Sequence, residues 1–148
     1  MGIILQSIQK SNFLISNSEL NLVKNEYKKL TGTFKFSAPQ NVTLELQHIG
    51  KQNYVDYQNI LSIRRNYSVT EKADGERNLF LVLSSGDVYL LNRKNEIKSF
   101  GCKLEGYGGT IMDGELILKD KKNKNIILFA VFDIYYLNNK DKRSLIFN

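Results

Sequence analysis

The sequence predicts an α+β domain built on an antiparallel β-sheet. From residue 67 onward, short apolar or alternating runs of strand length recur between turn-forming segments, which is typical of strands joined by hairpins. One amphipathic helix is predicted before them. With 148 residues, of which 42% are hydrophobic, the chain can bury one sizeable core but hardly a second. We therefore expect one core, based on the sheet.

The helix is predicted over residues 16–31. Ser16 and Glu19 have the spacing of a capping box, in which each side chain binds the backbone N–H of the other residue, and Gly32 follows as a stop signal. The apolar residues at helical spacing fall close to one stripe: Leu20, Val23, Tyr27 and Leu30. We assign residues 1–37, which include this helix, to a connector or to the end of a preceding domain.

The strands are predicted from alternation and from the turns between them. Two short strands, 33–37 and 42–47, flank Pro39, the only proline, and a short helix is expected at 53–62. The remaining strands are predicted at 67–73, 77–84, 87–92, 96–100, 110–119 and 126–136. The last turn, 119–125, contains a group of lysines. We interpret this group as a solvated hairpin tip, with a contact to a phosphate backbone as the second interpretation.

A lysine lies two residues before an Asp-Gly pair, and an arginine closes the segment: Lys72, Asp74, Gly75 and Arg77. This spacing suits an enzyme in which the lysine amine is the nucleophile, because a neighbouring positive charge helps a lysine to lose its proton. We expect Asp74 and Gly75 to form a tight turn with positive φ after the strand that carries Lys72, which brings Arg77 close to the amine. The alternative is an ordinary Asp-Gly hairpin with solvated charges.

Two acids lie two residues apart in the predicted strand 110–119. The period of two puts Asp113 and Glu115 on one face, beside Ile111 and Ile117. Carboxylates among apolar neighbours need a cation, a hydroxyl donor or a metal ion to offset their desolvation. We therefore interpret the pair as serving Mg²⁺ or a ribose, with a solvated strand face as the alternative. Gly114 removes a side chain where a ligand could approach the backbone.

The run 126–136 contains a single charge, Asp133, and is predicted to be a strand buried on both faces. Because buried aspartates are rare unless they are paired, Asp133 needs a cationic partner, for which Lys72 and Arg77 are the candidates. Phe132 is expected on the opposite face and could offer its ring to a purine base, although a phenylalanine in such a run is more often part of a core.

Composition excludes several classes of site. The single cysteine, Cys102, cannot form an internal disulfide, and with one histidine, His48, there is no basis for a zinc site or for a Ser-His or Cys-His mechanism. The glycine-rich segment 106–109 lacks the lysine and threonine of a P-loop. No apolar run reaches about 18 residues and no signal peptide is recognisable, so we expect a cytoplasmic, intracellular protein without a membrane span. The net charge of +6 suits nucleoside triphosphates and RNA.

Segments 72–77, 113–115 and 132–133 together resemble the first, third and following motifs of the covalent nucleotidyltransferases, which comprise mRNA capping guanylyltransferases and ATP-dependent DNA and RNA ligases. Within that superfamily, residues 41–48 and 67–77 are most similar to the guanylyltransferase part of the multifunctional capping enzymes of giant DNA viruses. A ligase often has an aromatic residue in the position of Ala73, which favours capping. The resemblance covers about residues 26–143. It implies that 38–148 form the N-terminal part of a nucleotidyltransferase domain.

The resemblance implies a reaction and a role for four residues. Lys72 would attack GTP and carry GMP in a phosphoramidate link, and GMP would then pass to the 5′ diphosphate end of RNA. Arg77 and Glu115 would engage the ribose, and Phe132 would stack on the base.

The resemblance also implies supporting groups and a metal ion. Asp74, Gly75 and Asp133 would complete the nucleotide-binding site and support the lysine or a metal-bound water. Glu115, together with Asp113, would serve Mg²⁺ or Mn²⁺.

Two other functions remain open. An ATP-dependent ligase would form a lysyl-adenylate by the same chemistry, and a non-catalytic nucleotide- or RNA-binding module would keep the pocket without turnover. In the resembling family, a Glu-Gly motif, a lysine-rich motif and usually an oligonucleotide-binding fold lie beyond the position of Asn148. We therefore expect this chain to be a fragment of a multifunctional capping enzyme, with the remaining domains as its partners and with little activity by itself.

Overall fold

The computed structural model describes residues 13–40, 42–49, 63 and 72–145. These residues form two helices and six strands: α1 (Asn17–Thr31), α2 (Leu46–Ile49), β1 (Glu76–Val82), β2 (Asp87–Asn92), β3 (Ile97–Lys103), β4 (Thr110–Lys119), β5 (Asn125–Leu137) and β6 (Lys140–Asp141). The chain divides into two units. The first, Met1–Ala38 with Ala73–Ile146, holds α1 and the strands, and the second, Pro39–Lys72 with Phe147–Asn148, holds α2. Neither described helix has the length and hydropathy needed to cross a membrane.

The sheet is antiparallel between every pair of neighbours in the described chain, in the order β3-β2-β1-β4-β5-β6. This arrangement confirms the α+β fold that the sequence predicts. Along β1 the side chains alternate between two core clusters: Leu79 and Leu81 pack with α1, and Phe80 and Val82 pack on the opposite face. Arg77 continues the series that begins with Leu79 and Leu81, so it lies at the margin of the core that α1 shares.

Helix α1 begins and ends where the sequence predicts. The Ser16 hydroxyl accepts the N–H of Glu19, the Glu19 carboxylate accepts the N–H of Ser16, and Gly32 ends the helix at a φ of +77°. Val23 and Tyr27 are buried in the same cluster as the strand residues. The helix therefore contributes to the core of the first unit. The assignment of residues 1–37 to a connector or a preceding domain stays a prediction.

Segment 33–37 is not a strand, contrary to the prediction. Its backbone groups bond to side chains: Tyr27 Oη donates to the carbonyl of Lys35 at 3.0 Å, and the N–H of Phe36 donates to Asn95 Oδ1 at 2.8 Å. These side chains take the place of a neighbouring strand. The alternation in the sequence reflects packing against the first core instead, by Phe34, Phe36 and Ala38.

The predicted strand 42–47 is also wrong, because its last residues belong to α2 in the second unit. The His48 N–H donates to the carbonyl of Glu45 at 3.0 Å, and the Glu45 N–H donates to His48 Nδ1 at 2.8 Å. Such local bonds compete with an extended backbone. The predicted helix 53–62 and residues 67–71 of the next predicted strand lie outside the described residues. Residues 72 and 73 are not in a strand.

Strand β5 has nearly the predicted bounds, but it is not buried on both faces. Tyr135 and Tyr136 are buried, whereas Ile127 is 78% exposed and Val131 is 45% exposed. In the described chain β5 pairs with β4 along its length, and β6 reaches only the last residues of its other side. A two-residue strand carries no alternation, so the sequence did not predict β6.

The two ends of strands β1, β4 and β5 differ. At one end the loops are joined by backbone bonds of 2.9 Å, from the N–H of Gly109 to the carbonyl of Val82 and from the N–H of Asn139 to the carbonyl of Gly109. Gly109 has a φ of +73°, which residues other than glycine rarely adopt, and a Cβ there would also displace the Asn139 side chain, so this position favours glycine. We call this the closed end. The opposite end, where β1 begins and the β4–β5 turn (120–124) lies, is the open end.

Candidate functional site

A buried ion pair forms the centre of the candidate site. Arg77 Nε donates to Asp113 Oδ1 at 3.0 Å, and Nη2 donates to Oδ2 at 2.5 Å, so β1 and β4 are joined by a two-bond contact. The Asp113 side chain is 1% exposed and that of Arg77 is 10% exposed. The hydrogen bond to Asp113 raises the pKa of Arg77. The pair is costly to separate, because removing Arg77 would leave the buried Asp113 carboxylate without its cation.

Tyr135 completes the environment of Asp113. Its hydroxyl donates to Asp113 Oδ2 at 2.5 Å, and its ring is buried. Burial raises the pKa of Tyr135 first, and the bond to Asp113 raises it further. Both carboxylate oxygens of Asp113 are therefore occupied by donors, and the cation and hydroxyl that the sequence required for a buried acid are Arg77 and Tyr135.

Two aromatic rings flank the Arg77 guanidinium. Its central carbon lies 5.6 Å from the ring centroid of Phe132 and 5.9 Å from that of Phe36. Phe132 lies at an irregularity of β5, because Asp113 pairs with Asp133 whereas Gly114 pairs with Val131, so the ladder skips one residue. The skipped residue is Phe132, which places its ring against Arg77.

Asp133 does not have the expected ion-pair partner in Arg77. Its Oδ1 accepts the adjacent N–H of Ile134 at 2.8 Å, and its side chain is only partly buried. Arg77 is paired with Asp113 instead. The fully buried aspartate, which has the strongest need for a cation, is Asp113 and not Asp133.

Glu115 holds the chain segment that precedes β1. The N–H of Gly75 donates to Glu115 Oε2 at 2.8 Å. A Cβ on Gly75 would collide with the backbone carbonyl of Leu116, so glycine permits β4 to approach this closely. Neither Asp74 nor Gly75 has a positive φ, so the predicted positive-φ conformation of this segment is wrong.

Gly114 has a different role from the predicted one. A Cβ on this residue would lie 2.5 Å from the carbonyl oxygen of Ala130 and 2.6 Å from the Phe129 ring. The space beside Gly114 is therefore filled by β5 and is not open to a ligand.

Residues 13–148 match the family model described as mRNA capping enzyme, catalytic domain. The chain belongs to this family. The family predicted from the motifs, the mRNA capping enzymes, is thereby confirmed. One similar protein is the probable mRNA-capping enzyme of Acanthamoeba polyphaga mimivirus, which is 28% identical over 151 residues. The alignment covers 95% of this chain but only 11% of the length of that relative.

The capping domain brings the later motifs together around the start of β1. Arg77 contacts Asp113 and Phe132 and lies opposite Glu115 in the β1–β4 register, and the hydrogen-bonded pairs are 36 to 40 residues apart in sequence. Asp74 is exposed. Lys72 is also exposed, and it is the last residue of the Pro39–Lys72 segment of the second unit. The catalytic and binding roles of these residues stay predictions.

The acids of the capping domain differ in how well they suit a metal ion. In the part of the chain that the structure describes, no group of three or more His, Cys, Asp or Glu side chains is placed to hold one. Mg²⁺ is commonly held by one or two carboxylates together with substrate phosphates. Glu115 fits this role, because its hydrogen bond to Gly75 uses one oxygen. Asp113 fits poorly, because Arg77 and Tyr135 occupy both of its oxygens.

Two residues of the site were not predicted. A tyrosine in an apolar strand usually needs a partner for its hydroxyl, so Tyr135 carried a signal, two residues after Asp133. Phe36 carried no such signal, because its position beside Arg77 depends on a non-local hydrogen bond from its N–H to Asn95.

Proposed function

We propose that this domain is the guanylyltransferase part of an mRNA capping enzyme. Lys72 takes GMP from GTP, and GMP then passes to the 5′ diphosphate end of RNA. The observation that carries the proposal is the convergence of the motifs: Gly75 and Arg77, close after Lys72 in the sequence, are bonded to the two acids of β4, Glu115 and Asp113. A family match over residues 13–148 supports the same activity.

The reaction consists of two displacements at the α-phosphorus. The Lys72 amine attacks that phosphorus, a P–N bond forms, the bond to the β-phosphate oxygen breaks, and pyrophosphate leaves while the amine loses a proton. In the second step an oxygen of the RNA 5′ diphosphate displaces Lys72 from the same phosphorus. A Mg²⁺ or Mn²⁺ ion held by Glu115 and the substrate phosphates would neutralise negative charge.

The other residues bind and orient the nucleotide. The buried pair with Asp113 fixes the plane of the Arg77 guanidinium, and Arg77 is proposed to engage the ribose. Glu115 positions the Gly75 backbone and contributes to the ribose contact. Phe132 offers the base a ring that is already held beside Arg77. Asp74 and Asp133 are proposed to support the lysine.

The test is to incubate the full-length protein that carries this domain with α-labelled GTP and a divalent metal ion. Label should stay on the protein through denaturation and be released by acid, as a phosphoramidate requires. Lys72→Ala should abolish the label. The matched control is Lys35→Ala, which removes another exposed lysine and should leave labelling unchanged.

Two outcomes would contradict the proposal. Full labelling of Lys72→Ala would remove Lys72 from its role, because no other residue replaces a positioned amine. Labelling from ATP in preference to GTP would support a lysyl-adenylate and therefore a ligase. Partnership with the remaining domains of a longer capping enzyme and a cytoplasmic location belong to the same proposal.

A further inference from the structure

The β4–β5 turn carries a concentrated positive charge. Four exposed lysines lie within six residues, Lys119 at the end of β4 and Lys121, Lys122 and Lys124 in the turn itself, and we refer to them together as the turn lysines. With Asp120 between them, the segment 119–124 has a net charge of +3, half of the net charge of the chain. Like charges held so close together repel one another, so the turn favours contact with an anion.

The turn has a defined conformation. The carboxylate of Asp120 accepts the backbone N–H groups of Lys122 and Lys124 through Oδ1, each at 2.8 Å. Backbone bonds join the N–H of Asp120 to the carbonyl of Lys124 and the N–H of Asn123 to the carbonyl of Asp120. Asn123 has a φ of +61°, which asparagine tolerates. The four lysines are therefore carried on a hairpin whose backbone loses little entropy when an anion binds.

The only acid in this turn is used by the backbone and not by the lysines. Arg77, Lys103 and Arg143 are among the residues that form ion pairs in the described part of the chain. None of the four turn lysines is paired within this part of the chain. Their charge is therefore available to a partner.

The position of the turn points to the partner. Strand β4 runs from Asp113 and Glu115 of the candidate site directly into the turn. Leu116, where the chain from Gly75 approaches β4, lies three residues before Lys119, or about 10 Å along the strand. A polyanion whose end lies at the nucleotide site would continue past the lysines of the turn.

We propose that the β4–β5 turn binds the phosphate backbone of single-stranded RNA next to the 5′ end that receives GMP. The proposal deepens the proposed function and rests on it for the position of that 5′ end. An acidic protein segment could satisfy the same charges, but RNA is favoured because its 5′ end already lies at the candidate site on the same strand. The lysines contact the charged phosphates and not the bases, so the binding does not depend on the RNA sequence.

The test compares two pairs of adjacent, exposed lysines in the full-length protein. Lys121→Gln with Lys122→Gln removes two charges from the turn, and Lys28→Gln with Lys29→Gln removes two from the last turn of α1. Affinity for a short single-stranded RNA with a 5′ diphosphate is measured by fluorescence anisotropy at several salt concentrations. The first variant should reduce the slope of log K against log salt by about 1.4 and weaken binding roughly 5- to 25-fold near 0.1 M salt. The α1 variant should bind like the wild type.

A third variant separates charge from shape. Lys121→Arg with Lys122→Arg keeps both charges and should keep the wild-type affinity. Unchanged RNA affinity and salt slope in the glutamine variant would overturn the proposal, and so would an equal loss in the α1 variant.

A labelling assay with GTP in the absence of RNA reports on the nucleotide site separately. If the wild type forms no adduct but the turn variant still loses RNA affinity, the proposed function fails and the RNA contact stands. If the turn variant loses adduct formation and binds RNA normally, the lysines act on GTP and the RNA contact is refuted.

Discussion

Replacing Asp113 by asparagine should destabilise the protein strongly, although the two side chains have nearly the same shape. The substitution leaves the Arg77 guanidinium in a site where its side chain is 10% exposed, without the carboxylate that two of its nitrogens contact. Removing one partner of a buried ion pair typically costs about 3–5 kcal/mol. Asparagine keeps an acceptor for one donor, so we expect the lower part of this range, about 3 kcal/mol.

This loss of about 3 kcal/mol in the free energy of unfolding corresponds to a measurable change of melting temperature. In a protein of about 150 residues, 1 kcal/mol corresponds to roughly 2–4 °C, so Asp113→Asn should lower the midpoint by about 6–12 °C. Thermal unfolding followed by circular dichroism measures it. Because salt screens buried pairs only weakly, most of the loss should persist at 1 M salt, where the Debye length is about 3 Å.

Asp141→Asn is the matched control. Arg143 Nη2 and Asp141 Oδ2 are also 2.5 Å apart, but their side chains are 48% and 47% exposed. An exposed pair gains little net energy, so this variant should melt like the wild type. Equal melting temperatures for Asp113→Asn and the wild type, or equal losses in the two variants, would refute the view that burial makes the Arg77 pair important.

Three further predictions concern the base, the nucleotide and the buried tyrosines. Phe132→Leu should weaken nucleotide binding by roughly 1–3 kcal/mol. Phe129→Leu removes a ring 5.0 Å from Phe80 on the other face of the sheet, so it should lower stability and leave nucleotide affinity unchanged. Calorimetric titration with nucleotide tests both variants, and equal nucleotide affinities of the two would identify Phe132 as a core residue. Parallel labelling should favour GTP over ATP by at least about tenfold, since a site that binds one purine edge leaves groups unpaired with the other, and a smaller ratio would contradict guanylate specificity. Burial raises the pKa of Tyr135, so this residue stabilises the fold below about pH 10, the unfolded pKa, and its contribution is lost as the pH rises above that value. Between about pH 8 and pH 11, the free energy of unfolding measured with denaturant should therefore fall less for Tyr135→Phe than for the wild type. Equal decreases in the two proteins would exclude this linkage.

The sequence predicted the strands well where turn residues delimit them. Strand β2 and strand β4 have the predicted bounds, and β1 and β5 differ from them by one or two residues at each end. Helix α1 was predicted from its capping box and its glycine stop, which are local signals. The segment 33–37 was mistaken for a strand, because alternation records which side chains face a core and not which backbone groups are paired.

The site was predicted in its residue types but not in its pairing. Arg77 and the two acids of β4 were identified, yet Arg77 was expected as a partner of Asp133 and instead binds Asp113. The choice depends on the cross-strand register and on the skipped residue at Phe132, neither of which has a local signature. The burial of β5 was overestimated for a related reason, since an apolar strand is buried only if other elements cover it.

The open end of the sheet should open locally more readily than the closed end. At the closed end, the loops after β1, before β4 and after β5 are joined through Gly109 and Asn139, so they can separate only if several bonds break together. At the open end, Gly75 is joined to Glu115 by a single backbone-to-side-chain bond. Amide protons at the open end should therefore exchange first, through fraying that leaves the closed end intact. Such fraying would stop at the Arg77–Asp113 pair, so the segment before Arg77 can yield to a substrate without unfolding of the core.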